Sequence, residues 1–180
     1  MGNLLPVVVL WPYKKDANMF KLCSGMNILV ASGGMKDVYT SVETYNMVEK
    51  VLRVVGEDNF NIIKFPCSDG GEYFYEILLF HGIGKEVDVD GIYDPIGNRK
   101  KSSYVLCNNN VSFIGSSAIL GLGCEYEEYK NPLELTSYGL GQLIRHALDN
   151  GATKIHVGLG GTSTVDAGLG MAKALGAGSW

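Results

Sequence analysis

The 180-residue sequence predicts an α/β fold, and three observations predict it. Near the start, two short buried-strand patterns are each followed by a turn and a helical period, the β-α-β-α order of a parallel sheet. Near the end, strand, glycine-rich loop and helix follow one another again. Between these regions lies a run of short β-prone stretches separated by turn residues.

The elements follow in order. Asn27–Ala31 is a short apolar strand, and Ser32, Gly33 and Gly34 form a flexible turn behind it. Thr40 and Glu43 have the spacing of a capping box. Val42, Tyr45, Val48, Leu52 and Val55 then recur every three or four residues, one face of a helix that Gly56 closes. Asn59–Phe65 is a second strand, and a helix is expected over about 72–81. Glu86–Asp90, Ser103–Cys107 and Val111–Gly115 are β-prone, with turns at Asp94–Asn98 and Asn108–Asn110, the latter joining a hairpin. Ser116–Leu122 reads as a short helix. A longer helix spans about Ser137–Asn150, with Leu140, Leu143, Ile144 and Leu148 on its apolar face and Gly151 behind it. Lys154–Leu159 is a strand, and a last helix is expected from Asp166 to Leu175. A further strand normally follows such a helix, so the pattern is expected to end before its fold is complete.

Composition removes several classes of function. Hydrophobic residues make up 46% and charged residues 19%, so a core is available and long disorder is excluded. The net charge is −4, which argues against a nucleic-acid partner. Cys23, Cys67, Cys107 and Cys124 form no CxxC pair, and His81, His146 and His156 are scattered, so neither a zinc site nor a disulfide framework is expected. Reduced thiols and a cytoplasmic location are the expectation. The apolar run Leu4–Trp11 is too short to cross a bilayer and lacks a preceding basic segment. Residues 1–25 fit the rest poorly, and Met26 is the expected true start.

Two segments carry chemistry. The first is Gly158–Gly170, GLGGTSTVDAGLG, placed between a strand and a helix. Free amides there attract anions, glycines let a phosphate approach closely, and Thr162, Ser163 and Thr164 add hydroxyls. Asp166 suits a base or the holder of a metal-bound phosphate. The plain alternative is a tight turn with hydroxyl caps and an ordinary helix-start carboxylate. The lysine of a Walker A loop and the G-x-G-x-x-G fingerprint are both missing. The second segment is Cys67–Glu72, CSDGGE, again between strand and helix. Asp69 and Glu72 there suit a ligand or a magnesium ion, or else form a variant capping box. Lys36 follows the first strand, where a lysine suits a phosphate or carboxylate or is simply solvated.

In order along the chain, NILVASGGMK, FPCSDGGE, DPIGN, TSYGLGQLI and GLGGTSTVDAGLGMAKALG resemble the bacterial glycerate kinase family (type I), over about Met26 to Gly176. The resemblance implies ATP-dependent phosphorylation of a hydroxyl of glycerate, with ATP and Mg²⁺ as cofactors and a small hydroxy acid as the substrate. It also implies a discontinuous flavodoxin-like parallel-sheet domain with a second α/β domain inserted into it. Residues 26–85 would be the first part of the former. Residues 86–180 would belong to the inserted domain, incomplete at its end, with the chain matching the N-terminal half of the family. Asp166 is then the catalytic base or the organiser of the attacking hydroxyl. Lys36, Asp69, Gly70, Gly71 and Glu72 bind substrate, with Asp69 the candidate metal ligand. Gly160, Gly161, Thr162 and Ser163 bind phosphate. Replacing Asp166 with Asn is expected to abolish transfer and leave the fold intact. Gly33, Asp37, Gly115 and Val165 depart from the family pattern. The alternative from another class is a non-catalytic truncated remnant or half-enzyme that binds an anion or pairs with a separate C-terminal half. A homo-oligomer is also compatible.

Overall fold

The computed structural model describes residues 27–35, 38–56, 61–121 and 131–178. The expected extension at 1–25, Lys36, Asp37, Cys23 and Cys124 lie outside them. The chain divides into two compact units, one up to Cys67 and the other from Ser68 onward.

In the first unit, β1 (Asn27–Ser32) and β2 (Asn61–Pro66) pair in parallel, Leu29 opposite Ile63. Helix α1 (Ser41–Gly56) connects them. Ile28, Val30 and Tyr45 are buried together, with Val48, Leu52 and Ile62 packed against them, which is the helical period read from the sequence meeting one face of the strands. The capping box forms in both directions. The Glu43 N–H donates to Thr40 Oγ1 at 3.1 Å, and the Thr40 N–H donates to Glu43 Oε2 at 2.8 Å. Replacing Thr40 with Ala should therefore lower stability by about 1 kcal/mol and speed amide exchange in the first turn of α1. Unchanged exchange there would show that the cap contributes nothing. Three further bonds close the end of this sheet. Ser32 Oγ donates to Ser41 O, Ser41 Oγ donates to Cys67 O, and the Cys67 N–H donates to Ser32 O.

The second unit begins with α2 (Phe74–Phe80), followed by β3 (Lys85–Tyr93), β4 (Arg99–Leu106), β5 (Val111–Gly115), α3 (Ser117–Leu120), α4 (Tyr138–Asp149), β6 (Lys154–Gly158) and α5 (Leu169–Ala174). The sheet order is β3-β4-β5-β6. The first two pairings are antiparallel hairpins and the last is parallel. The class is thus mixed α/β, as expected. Both predicted turns are present. In the first, Asp94 Oδ1 accepts from the N–H groups of Ile96 and Asn98. In the second, Asn110 takes a left-handed φ of 58°. Strand β3 carries Glu86, Asp88 and Asp90, pairs Asp88 with Lys101 at 2.8 Å, and is interrupted between Val89 and Ile92, where Gly91 has a φ of 76°. Charges and a bulge are the usual protection of an edge strand.

The core of this unit joins Val89, Ile92, Tyr104 and Ile114 of the sheet to Ile119, Leu120, Leu140, Leu143 and Ala147. Three expectations are corrected here. Leu148 is 44% exposed, and Ala147 occupies the buried position of α4 instead. Helix α2 starts at Phe74, because Tyr73 is left-handed with φ 59°. Helix α5 starts at Leu169 rather than Asp166, because Ala167 and Gly168 both have positive φ, 52° and 80°. His146 Nδ1 lies 3.3 Å from Tyr104 Oη, His156 stacks on Phe113, and His81 meets Phe80 edge-on. Helix α2 packs with β3, β4 and β5 inside the second unit.

Candidate functional site

The two glycine-rich segments singled out in the sequence lie against each other in the second unit. Strands β5 and β6 run parallel, and their carboxyl ends, Gly115 and Gly158, stand side by side in register. Ligands of open α/β sheets bind outside such ends. The loop after β6 crosses the loop that precedes α2, backbone on backbone. The Gly160 N–H donates to Gly70 O at 3.2 Å. A Cβ on Gly160 would collide with Gly71, its amide nitrogen being 2.8 Å away, and a Cβ on Gly158 would collide with the Gly70 carbonyl. Gly70 has a φ of 89°. Only glycine satisfies both the close approach and that dihedral.

The first loop is shaped by its own side chains. Asp69 Oδ1 accepts from the Gly71 N–H at 2.9 Å, and Ser68 Oγ accepts from the Gly70 N–H at 3.1 Å. These are local turn bonds and not a capping box, because the helix starts later. Asp69 is exposed and Glu72 is half-buried, with its Cγ 3.5 Å from the position a Cβ on Gly161 would take. The second loop is held by α3. The Ser116 N–H donates to Gly158 O at 2.9 Å, the Ser163 N–H donates to Leu120 O at 2.7 Å, and Thr162 bridges to Gly121. Ser163 Oγ is buried and without a partner among the described residues. A native buried hydroxyl normally has one, which suits a loop that takes a ligand oxygen or a water.

Asp166 is placed by a different set of contacts. Its Oδ2 accepts from Ser137 N–H at 2.8 Å, Ser137 Oγ at 2.8 Å and Gly170 N–H at 3.0 Å, and its Oδ1 accepts from Gly168 N–H at 3.1 Å. Partial burial pushes this carboxyl up, but the donors from Ser137, Gly170 and Gly168 together outweigh burial and hold it below the usual carboxylate range. Ser137 Oγ in turn accepts from the Met171 N–H at 2.9 Å. The carboxylate therefore ties the start of α4 to the turn before α5.

The structure thus brings Gly70, Gly71 and Glu72 together with Gly160 and Gly161. It puts Thr162 and Ser163 on the α3 side of the same loop and ties Asp166 to Ser137. Ser116 and Ser117 were not singled out from the sequence, and the Ser137 hydroxyl was read only as a helix cap and not as a partner of Asp166. Their partners lie tens of residues away in the chain, and an isolated serine gives no local signal for that. Among the described residues no group of three or more His, Cys, Asp or Glu side chains is arranged to hold a metal ion. Magnesium in phosphoryl transfer usually needs only one or two carboxylates beside the nucleotide's own oxygens. Asp69 is exposed, and its Oδ1 accepts the Gly71 N–H. No described helix is long and apolar enough to cross a membrane.

Comparison with known proteins adds an independent line. Residues 28–179 match the model of the glycerate kinase family. The chain is 34% identical over 152 residues to a glycerate kinase of Haemophilus influenzae, covering 84% of this chain and 40% of that protein. It is 34% identical over 153 residues to the glycerate 2-kinase of Escherichia coli, with the same coverage. A crystal structure described as glycerate kinase 2 from Salmonella typhimurium LT2 superposes with a TM-score of 0.66 at 35% identity, over 84% of this chain and 40% of that one. The chain spans about two fifths of the length of these relatives.

Proposed function

The chain belongs to the glycerate kinase family, and from that premise we propose that it takes part in ATP-dependent phosphorylation of a hydroxyl of glycerate. The observation that carries this reading is the pair of glycine loops crossed at the carboxyl ends of β5 and β6. In the transfer, the acceptor hydroxyl oxygen forms a bond to the γ-phosphorus, the bond to the ADP oxygen breaks, and the hydroxyl proton passes to a base or to solvent. Such reactions depend mainly on positioning and on spreading of charge.

Each residue then has a role. Gly161 offers a backbone amide to phosphate, Gly160, whose N–H is bonded to Gly70 O, leaves the approach free of a side chain, and Thr162 and Ser163 supply hydroxyls on the same loop. Gly70 and Gly71 give the closely packed floor opposite. Glu72 and Asp69 face the polar end of the substrate, with Asp69 the residue that would hold Mg²⁺ together with nucleotide oxygens. Lys36 would neutralise a carboxylate or phosphate. Between base and organiser, the four hydrogen bonds of Asp166 support the organiser, because a carboxylate so well supplied with donors accepts a proton weakly.

The test is ADP release by the purified chain with Mg·ATP, with and without D-glycerate. Glycerate-dependent release that is lost on substitution of Gly160 is the expected result. A folded chain that releases no ADP would favour the second reading, a binding remnant or a half-enzyme that works with a separate polypeptide. The two-fifths share of the relatives' length is the observation behind that alternative.

A further inference from the structure

Resting on that reading, we propose that Ser117 is a positioning residue whose hydroxyl sets the spacing of the two glycine loops and thereby aims one amide from each at the ligand. Ser117 Oγ donates to Gly71 O at 3.0 Å, and its neighbour Ser116 reaches the other loop through Oγ to Gly160 O at 3.5 Å and N–H to Gly158 O at 2.9 Å. The junction of β5 and α3 therefore grips both loops by their carbonyl oxygens.

Peptide geometry carries the argument further. No peptide bond among the described residues is cis, and in a trans peptide the N–H points opposite to the C=O. With the carbonyls of Gly71 and Gly160 drawn toward the two serines, the amides of the next residues, Glu72 and Gly161, are turned away from them. Neither amide donates to a protein acceptor among the described residues. A Cβ built on Gly161 would lie 3.5 Å from Ser117 Cβ and 3.9 Å from Glu72 N, so Gly161 borders the Glu72 amide nitrogen at a spot beside Ser117. The φ of 67° at Gly161 keeps that spot free of a side chain. Two unpaired amides from separate loops are a means of holding a ligand oxygen that carries negative charge. The Glu72 side chain borders the same spot, which favours an oxygen that arrives with its own cation, as in a magnesium-complexed nucleotide, over a bare anion.

The test compares the wild-type chain with Ser117→Ala and Ser117→Thr by amide NMR, titrating Mg·ADP. The expected result is that Mg·ADP shifts the Glu72 and Gly161 amides of the wild type. Ser117→Ala should bind about tenfold more weakly with an unchanged unfolding midpoint, and Ser117→Thr, which keeps the hydroxyl, should recover most of the affinity. A folded Ser117→Ala chain that binds Mg·ADP as tightly as the wild type would overturn the proposal. If Mg·ADP moves nothing in the wild type, the kinase reading of the loops fails. The positioning role is then decided by hydrogen exchange at the Gly160 amide, which bonds across to Gly70: about tenfold faster exchange in Ser117→Ala supports the role, and equal exchange overturns it. Should Ser117→Ala not fold, Ser117→Cys gives a weaker donor of similar shape for the same comparison.

Discussion

A Gly160→Ala chain will lose about 3 kcal/mol of stability and its response to nucleotide together. The added methyl is aimed at the backbone of Gly71, with the amide nitrogen only 2.8 Å away, and backbone cannot rotate aside as a side chain does. Either the loops separate, breaking the Gly160–Gly70 hydrogen bond, or the ends of β5 and β6 shift with them. Urea unfolding read by circular dichroism measures the first effect, and a Mg·ADP titration measures the second. Gly33→Ala is the control, since a Cβ there meets nothing within 4 Å, and it should change stability by less than about 0.5 kcal/mol. A Gly160→Ala chain with the wild-type midpoint would mean that the two loops do not touch in solution.

Asp166→Asn will cost about 3 kcal/mol at neutral pH, and the difference from wild type will shrink in acid. An amide oxygen at the Oδ2 position still meets Ser137 and Gly170, but its NH₂ then faces the Gly168 N–H, and the negative charge that strengthened all four bonds is gone. The pH dependence follows from the lowered carboxyl. A folded-state pKa below the unfolded value of about 3.9 means that the stabilisation is fully present above pH ~4 and is lost as pH falls through the depressed value. Unfolding midpoints of the two chains should therefore run parallel from neutral pH to about pH 5 and converge below pH ~4. Midpoints that stay parallel into strong acid would show that the carboxylate charge does not serve this junction. The expectation that Asn leaves the fold intact is accordingly revised: a loss of turnover in this variant reports on the α4–α5 junction as much as on chemistry.

The parts of this protein written in short-range chemistry were legible before the fold was known. Thr40 and Glu43 stand three apart and bond each other. Asp94 and Asn98 close their own turn, and Asn110 is a residue type that tolerates left-handed φ. The two glycine segments each sat between a strand and a helix, which is enough to place both at strand ends. Their mutual contact was not legible, because no local pattern pairs Gly70 with a residue far along the chain. The same holds for Ser137 with Asp166 and for Ser117 with Gly71. The start of α5 was misread for a related reason. Asp166 looks like the first residue of a helix, yet bonds reaching back to Ser137 and forward to Gly170 keep Ala167 and Gly168 out of helical geometry. In α4 the error was one of phase, since Leu148 and Ala147 are neighbours and only the packing against the sheet decides which faces inward.

The crossing of the glycine loops has a genetic consequence. In most of a core, a residue that has grown is rescued by a partner that shrinks, so a damaging substitution has second-site suppressors next to it. Gly158 and Gly160 touch the backbone of Gly70 and Gly71, which have no side chain left to remove. Each of these four codons is therefore at the floor of its size range. Selection for recovery of a Gly160→Ala chain should return true reversions at codon 160 and no compensating changes at codons 70 or 71, which makes this crossing one of the least evolvable points of the molecule.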